Sequence, residues 1–217
     1  MKAVLLLSGG LSSTTLFYYL QNKGIKVYPA IFKYDARHFK EMKMARKTAR
    51  ILKTKPRTSC VDCACYPFSI VDSEGFCSLL SAPANIESEA SKQGPFRDVV
   101  FLTMACNYAD QIGAEKVFYV GCGSEFISAF NAMISKINPN ISVEAPFFQY
   151  SKSGIVKLGL ELKVPYQNTW DCYTNNERPC LVCDGCEERA WAFYKNKTKD
   201  PLLTDDEWAE QLRILEP

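Results

Sequence analysis

The sequence has little net charge and no long apolar run. Its 26 Lys and Arg residues nearly balance its 24 Asp and Glu residues, which gives a formal net charge of +2 and a pI near 8.0. This balance argues against a dedicated nucleic-acid binder, whose surface is strongly basic, although a nucleic-acid partner is not excluded. The apolar run near the start, residues 3–7, is far shorter than the ~20 residues that cross a bilayer. We therefore expect no membrane partner and a cytoplasmic location.

Histidine is also scarce, whereas cysteine is frequent. His38 is the only histidine, and there are 10 cysteines. In a reducing compartment, clustered cysteines bind metal or take part in catalysis more often than they form disulfides. The hydrophobic fraction of 47% and the charged fraction of 23% are those of globular chains, which excludes disordered, collagen-like and coiled-coil classes. A length of 217 residues suits one domain with at most a small appendage.

The pattern of apolar residues predicts alternating strands and helices. Predicted strands lie at 3–7, 25–32, 116–120 and 141–144, and predicted helices at 12–22, 38–53, 99–112, 125–137 and 152–162. This alternation is typical of an open, mostly parallel, doubly wound α/β sheet, whose ligands lie beyond the carboxyl ends of the strands. Pro29 argues against a central position for the second strand. Residues 60–86 lack a period and predict an irregular excursion or lid.

A glycine-serine turn follows the first predicted strand. It consists of Ser8, Gly9, Gly10, Leu11, Ser12, Ser13 and Thr14, and we call it the phosphate loop. Two glycines allow a sharp turn, and the N–H groups at the start of a helix favour an anion such as pyrophosphate. The turn lacks the Gly-Lys-Ser/Thr ending of GTPase loops and the third glycine of the dinucleotide fingerprint. Because such turns also precede helices for steric reasons alone, a purely structural role stays open.

Four cysteines are clustered near the C-terminus with the spacing C-x₇-C-x₂-C-x₂-C. They are Cys172, Cys180, Cys183 and Cys186. Closely spaced thiolates suit a tetrahedral Zn²⁺ ion in a closed structural site. Disulfides and an iron–sulfur cluster are the alternatives.

Several motifs occur in the order found in one enzyme family. The phosphate loop resembles the S-G-G-x-D-S motif of pyrophosphate-loop ATP enzymes. Residues 34–38 with Glu41 resemble Y-G-Q-R-H, 95–98 resemble P-F-R-N, and 145–156 resemble A-P…S-K-x-E-I. The segment 169–186 resembles an S-C-Y motif followed by C-G-x-C-x-S-C. Over residues 3 to 194, the sequence thus resembles the 7-cyano-7-deazaguanine synthases of queuosine biosynthesis.

This resemblance implies a fold and an activity. The fold would be of the adenine nucleotide alpha hydrolase-like type, with a nucleotide-binding domain over 1–165 and a zinc-binding segment over 166–217. The activity would be that of an ATP-dependent C–N ligase that adenylates 7-carboxy-7-deazaguanine, converts it into an amide with ammonia and dehydrates the amide to a nitrile. ATP, Mg²⁺ and Zn²⁺ would be the cofactors, a deazaguanine the substrate and a homodimer the assembly.

The resemblance also assigns residues by position. The seven residues of the phosphate loop would bind the ATP phosphates, and the four clustered cysteines would bind zinc. Lys152, Arg97 and His38 are the candidate catalytic residues, and Arg189 is a further candidate anion contact. Each of these cations could equally lie in an ordinary ion pair, and a lone histidine is more often packed than catalytic.

Two departures from the family motifs bear on catalysis. Ser12 stands where the loop motif has aspartate, so a carboxylate that could help position Mg²⁺ is missing. Residues 121–130 lack the acidic, proline and arginine elements of the family segment D-Y-S-G-Y-P-D-C-R-x-x-F. A divergent member could instead join the activated base to an amine of a partner protein, as in antiviral defence.

Two further hypotheses stay open. The basic face of residues 43–53 and the additional Cys60, Cys63 and Cys65 suggest a tRNA-modifying pyrophosphate-loop enzyme. Ser12 and the altered segment 121–130 suggest a non-catalytic nucleotide-binding module.

Overall fold

The computed structural model describes residues 1–33, 39–54, 56–60, 96–121 and 123–215. They form a five-stranded parallel sheet in the order β3-β2-β1-β4-β5. The strands are β1 (Lys2–Leu6), β2 (Lys26–Lys33), β3 (Arg57–Cys60), β4 (Lys116–Phe118) and β5 (Ser142–Glu144). The helices are α1 (Leu11–Asn22), α2 (Phe39–Ile51), α3 (Arg97–Ile112), α4 (Ser124–Ile134), α5 (Lys152–Glu161), α6 (Asp184–Lys195) and α7 (Asp205–Leu215). The predicted open, parallel α/β sheet is confirmed.

Helices cover both faces of the sheet, because alternate residues of the strands point to opposite sides. On one face, Leu5 and Leu7 pack in a core that includes Phe17 of α1 and Phe193 of α6. On the other face, Val4 and Leu6 pack with the apolar sides of α3 and α4. The continuous apolar run that predicted β1 therefore reflects a strand that is buried on both faces.

Pro29 lies in an interior strand, contrary to the expectation that it would keep β2 from a central position. β2 pairs with β1 from Lys26 to Ala30 but with β3 only from Ala30 onward. Ala30 directs its carbonyl toward β1, where it accepts from the Leu7 amide at 2.9 Å. Backbone groups of successive residues point to opposite sides of a strand, so the Pro29 nitrogen, which carries no hydrogen, faces β3. The hydrogen bonds between β2 and β3 start only at the next residue, so none is lost at Pro29.

The structure adds elements that the sequence pattern did not predict. Residues 57–60 form the edge strand β3, although residue 60 was expected to open an irregular segment. The rest of the expected excursion, residues 61–86, lies outside the described residues. α6 and α7 were not predicted; α6 begins inside the cysteine cluster and carries Cys186. Among the described helices, none is long and apolar enough to span a membrane.

Candidate functional site

A cleft lies at the carboxyl ends of β1, β2 and β4, where the strand order reverses around β1. Such a reversal separates neighbouring loops and is the usual ligand site of open α/β sheets. The cleft has a volume of about 270 Å³, near the lower end of the ~300–1,000 Å³ typical of small-molecule sites. Its polar and charged lining includes Ser8, Ser13, Glu41, Arg97, Asp98, Lys152 and Asp171. Its aromatic lining includes Phe32, Phe101, Tyr119 and Tyr173.

The phosphate loop presents backbone N–H groups at the start of α1. Gly10 is the N-cap of this helix and brings no side-chain cap. The Gly9 amide donates to Ser13 Oγ at 3.3 Å, and the Gly10 amide donates to Ser8 Oγ at 3.2 Å. Within the described residues, the amides of Ser12 and Ser13 have no hydrogen-bond acceptor. Unpaired amides at a helix N-terminus carry partial positive charge, so this end of α1 favours an anion.

Gly9 is required by the close packing of the phosphate loop on α2. Its φ of +98° is one that residues with a side chain rarely adopt. A Cβ atom at this position would lie 2.0 Å from the carbonyl oxygen of Glu41 and 2.6 Å from the amide nitrogen of Ala45. The loop therefore lies directly against the backbone of α2, which brings the Glu41 side chain to the cleft.

Asp171 connects the phosphate loop to the C-terminal segment. Both of its carboxylate oxygens lie 3.2 Å from the Leu11 amide, 160 residues away in sequence. The neighbouring Trp170 amide donates to the Gly9 carbonyl at 3.0 Å. Asp171 Oδ2 also accepts a hydrogen bond from Arg189 Nη1 at 2.8 Å. The phosphate loop thus packs against α2 and is hydrogen-bonded to residues 170 and 171.

Arg189 is an internal partner of two carboxylates. Its Nε and Nη2 atoms donate to the two oxygens of Asp200 at 2.6 and 2.9 Å, and its side chain is only 4% exposed. Burial by itself lowers the pKa of this guanidinium, but the charges of Asp200 and Asp171 and their hydrogen bonds outweigh burial and raise it. Arg189 does not line the cleft, so the anions that it contacts in this structure are those of the protein itself.

Two of the three candidate catalytic residues, Lys152 and Arg97, line the cleft. Lys152 Nζ lies 3.8 Å from Asp171 Oδ1 and 3.1 Å from Glu188 Oε2. It occupies the first position of α5, whose N-cap is the Ser151 hydroxyl that accepts from the Gly154 amide. Arg97 Nε lies 3.2 Å from Asp98 Oδ1 at the start of α3. Both cations are only partly exposed, which strengthens their attraction for an anion in the cleft.

The cysteine cluster has the size of a metal centre. The Sγ atoms of Cys172, Cys180, Cys183 and Cys186 all lie within 4.8 Å of one another. Four of the pairs are separated by 3.5, 3.5, 3.9 and 4.0 Å. Zn–S bonds of about 2.3 Å in a tetrahedron place the sulfurs about 3.8 Å apart, so these distances match. The predicted cluster therefore comes together as a site that could bind a metal ion.

Hydrogen bonds prepare one sulfur of this cluster for the thiolate form. Contact with Cys186, and then hydrogen bonds from Thr174 and the Cys180 amide, lower the pKa of Cys172 to about 4. The hydrogen bond with Cys172, burial and the charge of Cys172 raise the pKa of Cys186, so the four thiols do not all ionise on their own. A divalent metal ion would supply the positive charge that stabilises the thiolates.

The other predicted site residues differ in their positions. Ser8 and Ser13 line the cleft. Thr14 is fully buried and does not line the cleft, and the Leu11 amide is already bonded to Asp171. His38 lies outside the described residues, as do Cys63 and Cys65.

Sequence reasoning overlooked Asp171, Asp200 and Tyr166. The hydroxyl of Tyr166 lies 2.8 Å from Thr15 Oγ1 and is fully buried beneath α1. Asp200 is the bidentate partner of Arg189. Only Asp171 carried a sequence signal, because it stands where the S-C-Y motif has serine.

Comparisons with known proteins agree with the motifs. Residues 2–197 match the model of the family described as Queuosine biosynthesis protein QueC. The 7-cyano-7-deazaguanine synthase of Archaeoglobus fulgidus is 38% identical, and the alignment covers 100% of this chain and 95% of that protein. The synthase of Caldicellulosiruptor saccharolyticus is 35% identical over 93% of this chain and 95% of that protein.

A solved structure supports the fold. The NMN synthetase of Francisella tularensis aligns with a TM-score of 0.55 at 15% identity, covering 98% of this chain and 82% of that chain. At this identity the likeness concerns the fold alone. The family model and the two relatives together show that the chain belongs to the queuosine biosynthesis protein QueC family.

Proposed function

We propose that this protein is an ATP-dependent synthase that converts 7-carboxy-7-deazaguanine into 7-cyano-7-deazaguanine. The observation that carries the proposal is the phosphate loop, whose Ser12 and Ser13 amides lack acceptors among the described residues, at the edge of the switch-point cleft. The relatives that share 35–38% of the sequence are named for this activity. Both the chemistry and the family therefore favour activation of an acid by a nucleotide.

The first step activates a carboxylate, which is a poor electrophile. A carboxylate oxygen of the substrate attacks the α-phosphorus of ATP, the bond to the β,γ-pyrophosphate breaks, and an acyl-adenylate forms. Negative charge develops on the departing pyrophosphate. The amides of Ser12 and Ser13, without acceptors in the described part of the chain, and the N-terminal dipole of α1 would stabilise that charge without rearrangement.

Two cations of the cleft suit the remaining negative groups. Lys152 at the start of α5 would contact the phosphate chain, since it lies 3.8 Å from the Asp171 carboxylate beside the loop. Arg97 at the start of α3 would bind the carboxylate of the substrate. Phe32 and Phe101, stacked with ring centroids 4.5 Å apart, form an apolar wall suited to a planar base.

The following steps replace the two carboxylate oxygens of the substrate by one nitrogen. Ammonia attacks the acyl carbon and AMP leaves with its electron pair, which yields the amide and one released proton. A second ATP adenylates the amide oxygen with loss of pyrophosphate and one N–H proton, and departure of AMP and the second N–H proton leaves the nitrile. The same loop can serve both adenylations, because each places a pyrophosphate leaving group at the same position.

A divalent cation fits the donor set beside the loop. Carboxylates of Glu41, Asp98 and Asp171 line the cleft, and oxygen ligands of this kind are those that Mg²⁺ prefers. Bound Mg²⁺ would neutralise charge on the ATP phosphates. The chain's own contribution is to hold these carboxylates near the loop, through α2 for Glu41 and through Arg189 for Asp171.

The cysteine cluster would hold a structural Zn²⁺ ion. All four ligands are cysteine sulfurs, which leaves no open coordination position for a substrate. The ion would fix the turn that carries Asp171, the residue next to Cys172. Its chemistry is therefore to stabilise the fold around the cleft.

The direct test is turnover of the proposed substrate. The purified protein is incubated with 7-carboxy-7-deazaguanine, ammonium, ATP and Mg²⁺, and AMP, pyrophosphate and the base are measured, the base by mass spectrometry. We expect AMP and pyrophosphate in equal amounts, followed by the amide and then the nitrile. If ATP is not cleaved in the presence of this acid, the proposal is overturned. If the amide accumulates, the proposal is limited to amide formation.

A matched pair of lysines on α5 tests the site. Lys152→Met should lower kcat/KM about 10²–10³-fold, the usual effect of removing one group that stabilises developing charge. Lys157→Met is the control, because Lys157 is exposed on the same helix and does not line the cleft. Equal activities of the two variants would remove Lys152 from the mechanism.

A further inference from the structure

Two residues have exchanged types between segments that meet at the cleft. Ser12 stands where the loop motif S-G-G-x-D-S has aspartate, and Asp171 stands where the S-C-Y motif has serine. The carboxylate missing from one segment is therefore present in the other. Whether the Asp171 carboxylate can replace the one missing at residue 12 depends on where the two residues lie in the fold.

The structure brings the Asp171 carboxylate to the phosphate loop. Both of its oxygens lie 3.2 Å from the amide of Leu11, the residue directly before Ser12. A Cβ atom placed on Gly10 would lie 3.2 Å from Asp171 Oδ1 and 3.1 Å from Glu41 Oε1. The two carboxylates thus approach the loop at the same glycine, and both line the cleft.

Three contacts hold Asp171 in this position. Arg189 Nη1 donates to Oδ2 at 2.8 Å, and the Trp170 amide donates to the Gly9 carbonyl at 3.0 Å. The helix α6 packs on the Asp171 backbone, where a Cβ atom on Gly185 would lie 2.1 Å from the Asp171 carbonyl oxygen. A carboxylate fixed in this way is preorganised, and it loses little freedom when a ligand binds.

We propose that Asp171 is the positioning carboxylate of the phosphate loop and takes the place of the aspartate that the loop lacks at residue 12. It would orient the divalent cation that accompanies ATP, together with Glu41, whose carboxylate approaches the same glycine. This inference rests on the proposed use of ATP but not on the identity of the acid. The carboxylate of the phosphate loop is then supplied by residue 171 instead of residue 12. The serine at residue 12 therefore does not indicate lost activity.

The alternative is that Asp171 serves only as an ion-pair partner of Arg189 and Lys152. The structure separates the two roles, because Asp200 binds Arg189 through two further hydrogen bonds and would keep it paired without Asp171. Asp171→Ser should therefore fold, and its melting temperature and metal content show whether it has done so. Asp171→Asn keeps the shape of the side chain without its charge and serves as a second variant.

The experiment moves the carboxylate back to residue 12. Four proteins are compared: the wild type, Asp171→Ser, Ser12→Asp, and the double variant Ser12→Asp/Asp171→Ser. Mn²⁺ affinity is measured by electron paramagnetic resonance in the presence of a non-hydrolysable ATP analogue, so no turnover is needed. The Mg²⁺ dependence of AMP formation is the second readout.

We expect Asp171→Ser and Asp171→Asn to weaken Mn²⁺ binding by at least about tenfold, in the range measured for residues that orient metal sites. The double variant should recover most of that loss. Ser12→Asp alone should gain less than about threefold, since a carboxylate is already present. A double variant as weak as Asp171→Ser, or a Ser12→Asp variant that gains at least about tenfold, would overturn the inference.

The outcome is separable from that of the proposed function. A wild type that turns over the deazaguanine acid while the double variant recovers nothing contradicts only the role of Asp171. A wild type that rejects the acid while Mn²⁺ binding follows the position of the carboxylate contradicts only the substrate.

Discussion

Replacing Gly9 by alanine tests the packing of the phosphate loop on α2. The new Cβ atom would lie 2.0 Å from one backbone atom of α2 and 2.6 Å from another, and neither can move as a side-chain end could. The loop or the helix must therefore shift. Since the same loop presents the amides of Ser12 and Ser13, the shift reaches the proposed phosphate site.

The size of the effect follows from two contributions. The φ of +98° costs a residue with a side chain about 1–3 kcal/mol, and forcing a methyl group into a packed region costs about 1–3 kcal/mol more. Gly113 supplies the control, because its φ is +64° and a Cβ there would meet nothing within 4 Å. Gly113→Ala should pay only the backbone cost of about 1–2 kcal/mol.

Thermal unfolding followed by circular dichroism measures the difference. At about 2–4 °C per kcal/mol for a chain of this size, Gly9→Ala should lower Tm by about 4–24 °C and Gly113→Ala by about 2–8 °C. Calorimetry should show weaker ATP binding for Gly9→Ala alone. Equal losses of stability in the two variants with equal ATP affinity would refute the close contact between the loop and α2.

Three further predictions concern the C-terminal segment. Elemental analysis should find zinc in the wild type, and Cys183→Ser should bind it at least about tenfold more weakly, as a competing chelator would report. Arg189→Met should cost about 3–5 kcal/mol in urea unfolding, because it leaves the carboxylate of Asp200, 1% exposed, without its cation. A hydrogen bond from Arg178 lowers the pKa of Glu207 from 4.5 to about 2, so this carboxylate contributes stability that is present above about pH 4.5 and lost as the pH falls toward 2. The wild type should therefore exceed Glu207→Gln in urea midpoint at pH 6, and the difference should shrink at pH 3; a constant difference would contradict the ion pair.

The sequence predicted the elements whose signals are local. β1 and α1 were recognisable because an apolar run, two glycines and a periodic stripe follow one another within residues 2–22. β3 was missed because its residues, Arg57–Cys60, are few and mostly polar, and it becomes a strand only by pairing with β2. Pro29 suggested an edge position because sequence alone does not show where the neighbouring ladder begins.

The site was predictable to the same extent. The phosphate loop and the cysteine spacing are short motifs, and the structure brings each together as a unit. The network of Asp171, Arg189 and Asp200 was not predictable, because its partners come from the start of α1, from α6 and from the turn that follows α6. Only the topology of the sheet places these segments side by side.

The last twenty residues matter more to this protein than the family match suggests. The family model ends at residue 197, yet Asp200 holds Arg189 and α7 holds the cysteine loop through Glu207 and Gln211. A recombinant fragment trimmed to the matched region would retain every recognisable motif. It would nevertheless lose Asp200, the carboxylate that pairs with Arg189. Boundaries chosen for expression or crystallisation should accordingly extend past Gln211.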